Sequence, residues 1–144
     1  MKGLTICQPY AHLIATGAKI IENRKWPTTY RGPLLIHAGK SEKFLYLDEE
    51  NQRDVAHVPK SEMVFGAVVA WCELAECCHV REIKSGGWDD LFPGISKHLH
   101  AEGPFCFILR GVQRLTLPVP HTGALGLWRV REDLEETVLR QLRR

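Results

Sequence analysis

No apolar run in the 144 residues approaches the roughly 20 needed to cross a bilayer. The opening Met1-Lys2-Gly3-Leu4-Thr5 lacks the long apolar stretch of a secretory leader. The expected compartment is therefore the cytoplasm. The five cysteines are odd in number and irregular in spacing, which argues against a disulfide framework and suits reduced thiols. There is no internal repeat and no low-complexity tract. Net charge is only +2, and 44% of the residues are apolar, which excludes disorder as the main state. What remains is one compact domain, large enough to bury a real core. A monomer without cofactor or metal is the expectation.

The small net charge hides an asymmetry. Residues 1–40 carry Lys2, Lys19, Arg24, Lys25, Arg31 and Lys40 against Glu22 alone, a net +5, while residues 41–144 carry −3. A basic first quarter points to an anionic partner, with nucleic acid the leading candidate.

Short strands are expected over 4–7, 20–24 and 34–38. A helix over 10–16 opens after Pro9 and closes at Gly17. Residues 41–53 are helix-permissive. The run from Val64 to about Leu74 is apolar on both faces, so it belongs in the middle of a sheet. Residues 81–103 read as a loop with short helical pieces. Strands at 105–109 and 112–117 follow, and Pro118 and Pro120 stop the second. A last strand over 125–130 precedes a helical tail, 132–144, with Leu134, Val138 and Leu142 on one face. Its acidic first turn and basic last turn suit the helix dipole. Five to seven short strands with two or three helices fit an α+β class, a small mixed barrel with helices at its rim.

The segment from Gly17 to Arg31 is the most unusual. In a strand, Ile20, Glu22 and Arg24 share one face, and Lys19 stands at the turn before them. One reading is a salt bridge that pins the helix–strand corner. The other is a polar site at one mouth of the barrel, with Lys19 too near a turn for full burial. Trp26 and Tyr30 interleave with Arg24, Lys25 and Arg31. Single-stranded nucleic acid favours that mixture, because aromatic faces stack bases while cations meet phosphates.

Phe65, Ala67, Val69, Trp71 and Glu73 point the same way along the long strand. Either Glu73 ends an apolar face, where burial raises its pKa and suits it to acid–base work, or the strand emerges into solvent there. Cys72, Cys77, Cys78 and His79 lack zinc-finger spacing, and alternation sends Cys77 and Cys78 to opposite faces. His37 reads as a core histidine, Trp128 as a core residue, and His98 and His100 as surface-loop residues.

The run Gly17-Ala18-Lys19-Ile20-Ile21-Glu22-Asn23-Arg24 resembles the GxKxxExR signature of ASCH domains, which have a PUA-like fold. Gln8-Pro9-Tyr10-Ala11, the block from Tyr30 to Ala38 and the block from Pro120 to Val130 resemble three further family blocks in the same order. The resemblance implies a PUA-like β-barrel over 1–131, of mixed and mostly antiparallel strands, with 132–144 as a C-terminal helix packed on it or extending from it. It implies binding of RNA or a nucleoside-like ligand in a cleft lined by Lys19, Glu22, Arg24 and Glu73. One family branch hydrolyses the acetyl amide of N4-acetylcytidine, and another member type is a ribonuclease. In the amidohydrolase branch a motif lysine, a nearby threonine and a later glutamate carry the reaction. Lys19 matches the lysine, Glu22 stands where the threonine would be, and Glu73 falls by position on the later glutamate. A hydrolase using Lys19 with a carboxylate is therefore the alternative.

Overall fold

A computed structural model describes residues 1–45 and 58–142. Among these residues lie six strands and three α-helices: β1 (Lys2–Ile6), α1 (Tyr10–Ala15), β2 (Ile21–Arg24), β3 (Gly32–Ala38), β4 (Ala67–His79), α2 (Val80–Lys84), β5 (Phe105–Pro120), β6 (Leu127–Arg129) and α3 (Glu132–Leu142). The strands form one sheet in the order β2-β5-β4-β3-β1-β6. β1 runs parallel to β3 and antiparallel to β6, and β2 runs antiparallel to β5. The expected α+β class, with a mixed sheet and peripheral helices, is the observed one.

Two expectations need correction. Residues 105–120 make one strand, not two. Gly111, at φ +62°, takes a left-handed conformation open to glycine, so the backbone passes the break without ending. The strand also runs on to Pro120 rather than stopping at Pro118. Residues 43–45 form a turn, and most of the helix expected over 41–53 lies outside the described residues.

The chain forms two compact units. One comprises Met1–Ala18, Pro33–Cys72 and Val112–Arg144, and the other Lys19–Gly32 and Glu73–Gly111. In the first unit, Leu35, Val68, Leu115, Val130, Leu134 and Val138 make the core. Leu134 and Val138 come from one face of α3 at the four-residue spacing read from the sequence. The first four residues of β4, Ala67 to Ala70, are all buried, as a strand covered on both faces requires. Gln8 is buried and ties α1 to the chain: its Oε1 accepts from His12 N–H (2.8 Å) and its Nε2 donates to the Val64 carbonyl (2.7 Å).

Trp128 closes β6 over β1. Its Nε1 donates to Thr5 Oγ1 (3.2 Å), and its ring lies against Gly3 so closely that a Cβ there would meet the indole at 2.5 Å. His121 stacks on the Trp128 ring at 5.3 Å, and His37 meets it edge-on at 6.1 Å. His37 is 1% exposed, and its Nε2 donates to the His121 carbonyl at 2.6 Å. Its Nδ1 has no hydrogen-bond partner among the described residues, so the ring is a core histidine satisfied on one side only. Burial, above all, holds His37 below the ordinary imidazole pKa, while the bond to His121 pulls the other way.

Two outcomes follow from this corner. Gly3→Ala forces a methyl into the indole, so a melting curve should show a loss of about 1–3 kcal/mol. Because the folded state favours neutral His37, its contribution is complete above the unfolded-state pKa of about 6.5. It is lost as pH falls from there through the lowered folded-state value. The urea midpoint should therefore fall on acidification from pH 6.5, and His37→Gln should flatten that part of the fall.

Candidate nucleic-acid interface

Strand β2 is short and two-faced. Its register sets Ile21 opposite Ile108 and Asn23 opposite Cys106, with Glu22 opposite Phe107 and Arg24 opposite Phe105. Ile21, Cys106 and Ile108 enter the core of the second unit with Cys78, Ile83, Ile95 and Ala101. Alternation then puts Glu22 and Arg24 on the other face, beside Phe105 and Phe107.

On that face Glu22 sits between two cations. Its Oε1 accepts from Lys19 Nζ at 3.0 Å, and its Oε2 accepts from Arg24 Nε at 3.0 Å and from the second guanidinium nitrogen at 2.9 Å. Lys19 also donates to the Ile21 carbonyl. Lys19 is 3% exposed and Glu22 7%, so the expectation of a lysine kept near solvent by its turn is corrected. The turn folds the aliphatic stem inward, where the Ile21 carbonyl and the Glu22 carboxylate replace water around the ammonium.

Beyond β2, residues 25–31 form a basic and aromatic loop. Lys25 is exposed, and Trp26 and Tyr30 are half-buried. The Trp26 ring packs edge-on to Phe107 at 5.2 Å, and the Arg24 guanidinium lies 6.0 Å from its centre. Arg31 organises the turn: one guanidinium nitrogen donates to the Thr28 and Tyr30 carbonyls, both at 3.0 Å, and Nε donates to Glu76 Oε1 at 3.1 Å. Thr28 Oγ1 accepts from Tyr30 N–H at 3.0 Å. The tryptophan is thus held at one edge by a buried phenylalanine, with cations on both sides along the chain.

Glu73 follows the solvent reading. Its side chain is 41% exposed and binds Arg110 through Nε at 3.1 Å and a second nitrogen at 3.0 Å. The Arg110 guanidinium holds its carboxyl below the ordinary range, opposite to the rise that burial would have brought. β4 alternates between half-exposed and buried residues from Trp71 to Ala75 and is half-exposed at Glu76 and Cys77, because one face has come out of the core.

Asn23 escaped the sequence reading, and the reading of His98 and His100 as surface-loop residues is corrected. On the core face of β2, Asn23 donates to the His100 carbonyl (2.8 Å), and its Oδ1 accepts from the N–H groups of Gly103 (2.7 Å) and Glu102 (3.2 Å). His98 is half-buried and His100 is 7% exposed, so neither is an idle surface residue. A polar residue at an inward position of a strand was the available signal, since buried amides are hydrogen-bonded. The thiols face the same core: burial pushes Cys78 up to about 12 and Cys106 to about 11. Cys77 is half-exposed while Cys78 is buried, as alternation required. Among the described residues no three His, Cys, Asp or Glu side chains are placed to hold a metal ion, and no helix is long and apolar enough to cross a membrane.

The sequence model of the ASCH domain matches residues 4–94, well over half the chain. The chain belongs to the ASCH domain family. It is 25% identical over 139 residues to human activating signal cointegrator 1 and 24% identical to the mouse protein. In each case 92% of this chain is covered but only 23% of the relative's length. An ASCH protein from Zymomonas mobilis has a similar fold, with a TM-score of 0.56 at 13% identity over 96% of this chain and 93% of that one. A mutant of that protein gives 0.55 at 14% identity, covering 96% and 94%. Within this ASCH domain, Glu22→Gln should cost about 3–5 kcal/mol in denaturant unfolding, because it strips the counter-charge from a buried lysine and a partly buried arginine.

Proposed function

We propose that this ASCH domain binds single-stranded RNA, or a nucleoside-like part of it, through the face formed by Arg24, Lys25, Trp26, Tyr30 and Arg31. The observation that carries this reading is Trp26. It is anchored edge-on to buried Phe107 and preceded in sequence by Arg24 and Lys25, with Tyr30 and Arg31 following on the same loop. A fixed aromatic between cations is what a stacked base and its neighbouring phosphates require. Lys19 and Glu22 hold this face in place from beneath and, with Arg24, form the polar floor of the site.

The rival reading is hydrolysis of an acylated nucleoside or of the RNA backbone by Lys19 with Glu22 or Glu73. Against it, the Lys19 ammonium is engaged by Glu22 and the Ile21 carbonyl, and Glu73 is held charged by Arg110. A base or nucleophile must be presented to its substrate.

Fluorescence anisotropy with a labelled single-stranded RNA, read across a salt series, tests the proposal. Affinity should fall linearly with log salt concentration, and Lys25→Ala should flatten that slope by about 0.7. Trp26→Ala should lose about 1–3 kcal/mol of binding at a temperature where circular dichroism shows the variant still folded. Binding indifferent to salt, or to the loss of Trp26, would overturn it. Turnover of an acylated nucleoside that vanishes in a folded Lys19→Ala protein would replace it with the hydrolase.

A further inference from the structure

We propose that the outer edge of β5 at Leu117 is a strand-pairing surface for a second copy of this chain, and that Gln141 of α3 guards it. This goes beyond RNA binding and does not depend on it.

The two sides of β5 are unequal. β4 lies on one side. On the other, β2 pairs with it only from Phe105 to Ile108, and the Ile20 carbonyl takes the Leu109 N–H. Among the described residues, no strand covers that outer side from Arg110 to Pro120.

Gln141 fills part of the gap. Its Oε1 accepts from the Leu117 N–H at 3.1 Å, and its Nε2 donates to the Leu117 carbonyl at 2.7 Å. The side-chain amide thus makes the two bonds that one residue of a neighbouring strand would make. Along a strand, each residue turns its N–H and carbonyl to one side, and the next residue turns them to the other. Leu115 and Val119 therefore face the same way as Leu117. Pro118 and Pro120, which have no N–H, fall at the inward positions. Prolines often blunt a free edge, but these two leave the outer ladder whole, and the task passes to Gln141.

The guard stands where a helix is least secure. Leu134 and Val138 fix α3 in the core of the first unit, but Gln141 is the last residue but one of the helix, and helix ends fray. Fraying of that turn uncovers the Leu117 backbone. The Leu117 side chain is already 69% exposed.

The edge is suited to a copy of itself. In an antiparallel pair centred on Leu117, each Leu117 exchanges both backbone bonds with its copy, and the two exposed leucines lie side by side. Leu115 then faces Val119, Thr116 faces Pro118, and Arg114 faces Pro120. No like charges are opposed over that stretch, and the symmetry closes the contact at two chains instead of propagating a fibre. With Gln141 in place the chain stays single.

Gln141→Ala tests this, because it removes the guard and keeps a strong helix former. Light scattering over a concentration series should read one chain for the unaltered protein throughout. For the variant the mass should rise with concentration toward a doubling. Adding Leu117→Lys sets two ammonium groups at the symmetry axis, as edge lysines do to prevent pairing, and should return the variant to one chain. In dilute Gln141→Ala, amide exchange at Leu117 should quicken by roughly two- to tenfold, the factor represented by one net hydrogen bond. Gln141→Met keeps the length of the side chain without either bond and should behave in the same way where the alanine variant does not fold. A variant that stays single at every concentration would overturn the proposal. So would association that survives Leu117→Lys, an unaltered protein that doubles as readily as the variant, or Leu117 exchange that the variant leaves unchanged.

Discussion

A carboxylate buried between two cations is the constraint around which the second unit is arranged. Glu22 has almost no access to water, so its charge must be answered by protein groups. Lys19 and Arg24 answer it from the residues three before and two after, which is the reach that a turn and a strand provide. The arrangement fixes the lysine stem inward, sets the guanidinium beneath Trp26, and leaves Lys25 and Arg31 to face solvent. A hydrophobic residue in place of Glu22 would take away the carboxylate that Lys19 and Arg24 share. The motif is thus first a device of folding, one that holds the Arg24 and Trp26 face in place.

This division also sorts the positive charge of residues 1–40. Lys19 and Arg24 are spent on Glu22, and Arg31 shares its charge with Glu76. Lys25 and Lys40 are exposed. The local excess is real, but less of it is available to a polyanion than a count of residues suggests. On the proposed RNA-binding reading, stacking on an anchored aromatic would then matter more than bulk attraction, because each phosphate contact adds its share only where a cation is unspent.

Much of the fold was legible in the sequence because short-range chemistry decided it. Pro9 and Gly17 bracket α1, the apolar run before Leu74 announced a covered strand, and the stripe of Leu134, Val138 and Leu142 matched the observed face of α3. The pairing of Glu22 with Arg24 could be read from alternation alone. Three things could not. The depth of Lys19 depends on how β2 is seated against β5, which lies far away in sequence. The emergence of β4 at Glu73 depends on where its neighbours stop. Asn23 meets His100, Glu102 and Gly103, and Ile20 meets His98, only because this edge of the chain lies beside a loop far along the sequence, and no local pattern names those partners.

The register of the sheet imposes an order of events during synthesis. Ile21 pairs with Ile108, and Leu4 with Leu127. At about 5–20 residues per second on the ribosome, the first strands emerge seconds before their partners exist. Through that interval Glu22 and its cations remain hydrated, and the apolar run of β4 has only β3 and its surroundings to shelter against. The nascent chain cannot complete either unit early, since both draw on segments made late. A stalled or shortened chain ending before Phe105 would expose the longest apolar strand with its later partner missing, which is the form most open to capture by chaperones or to aggregation.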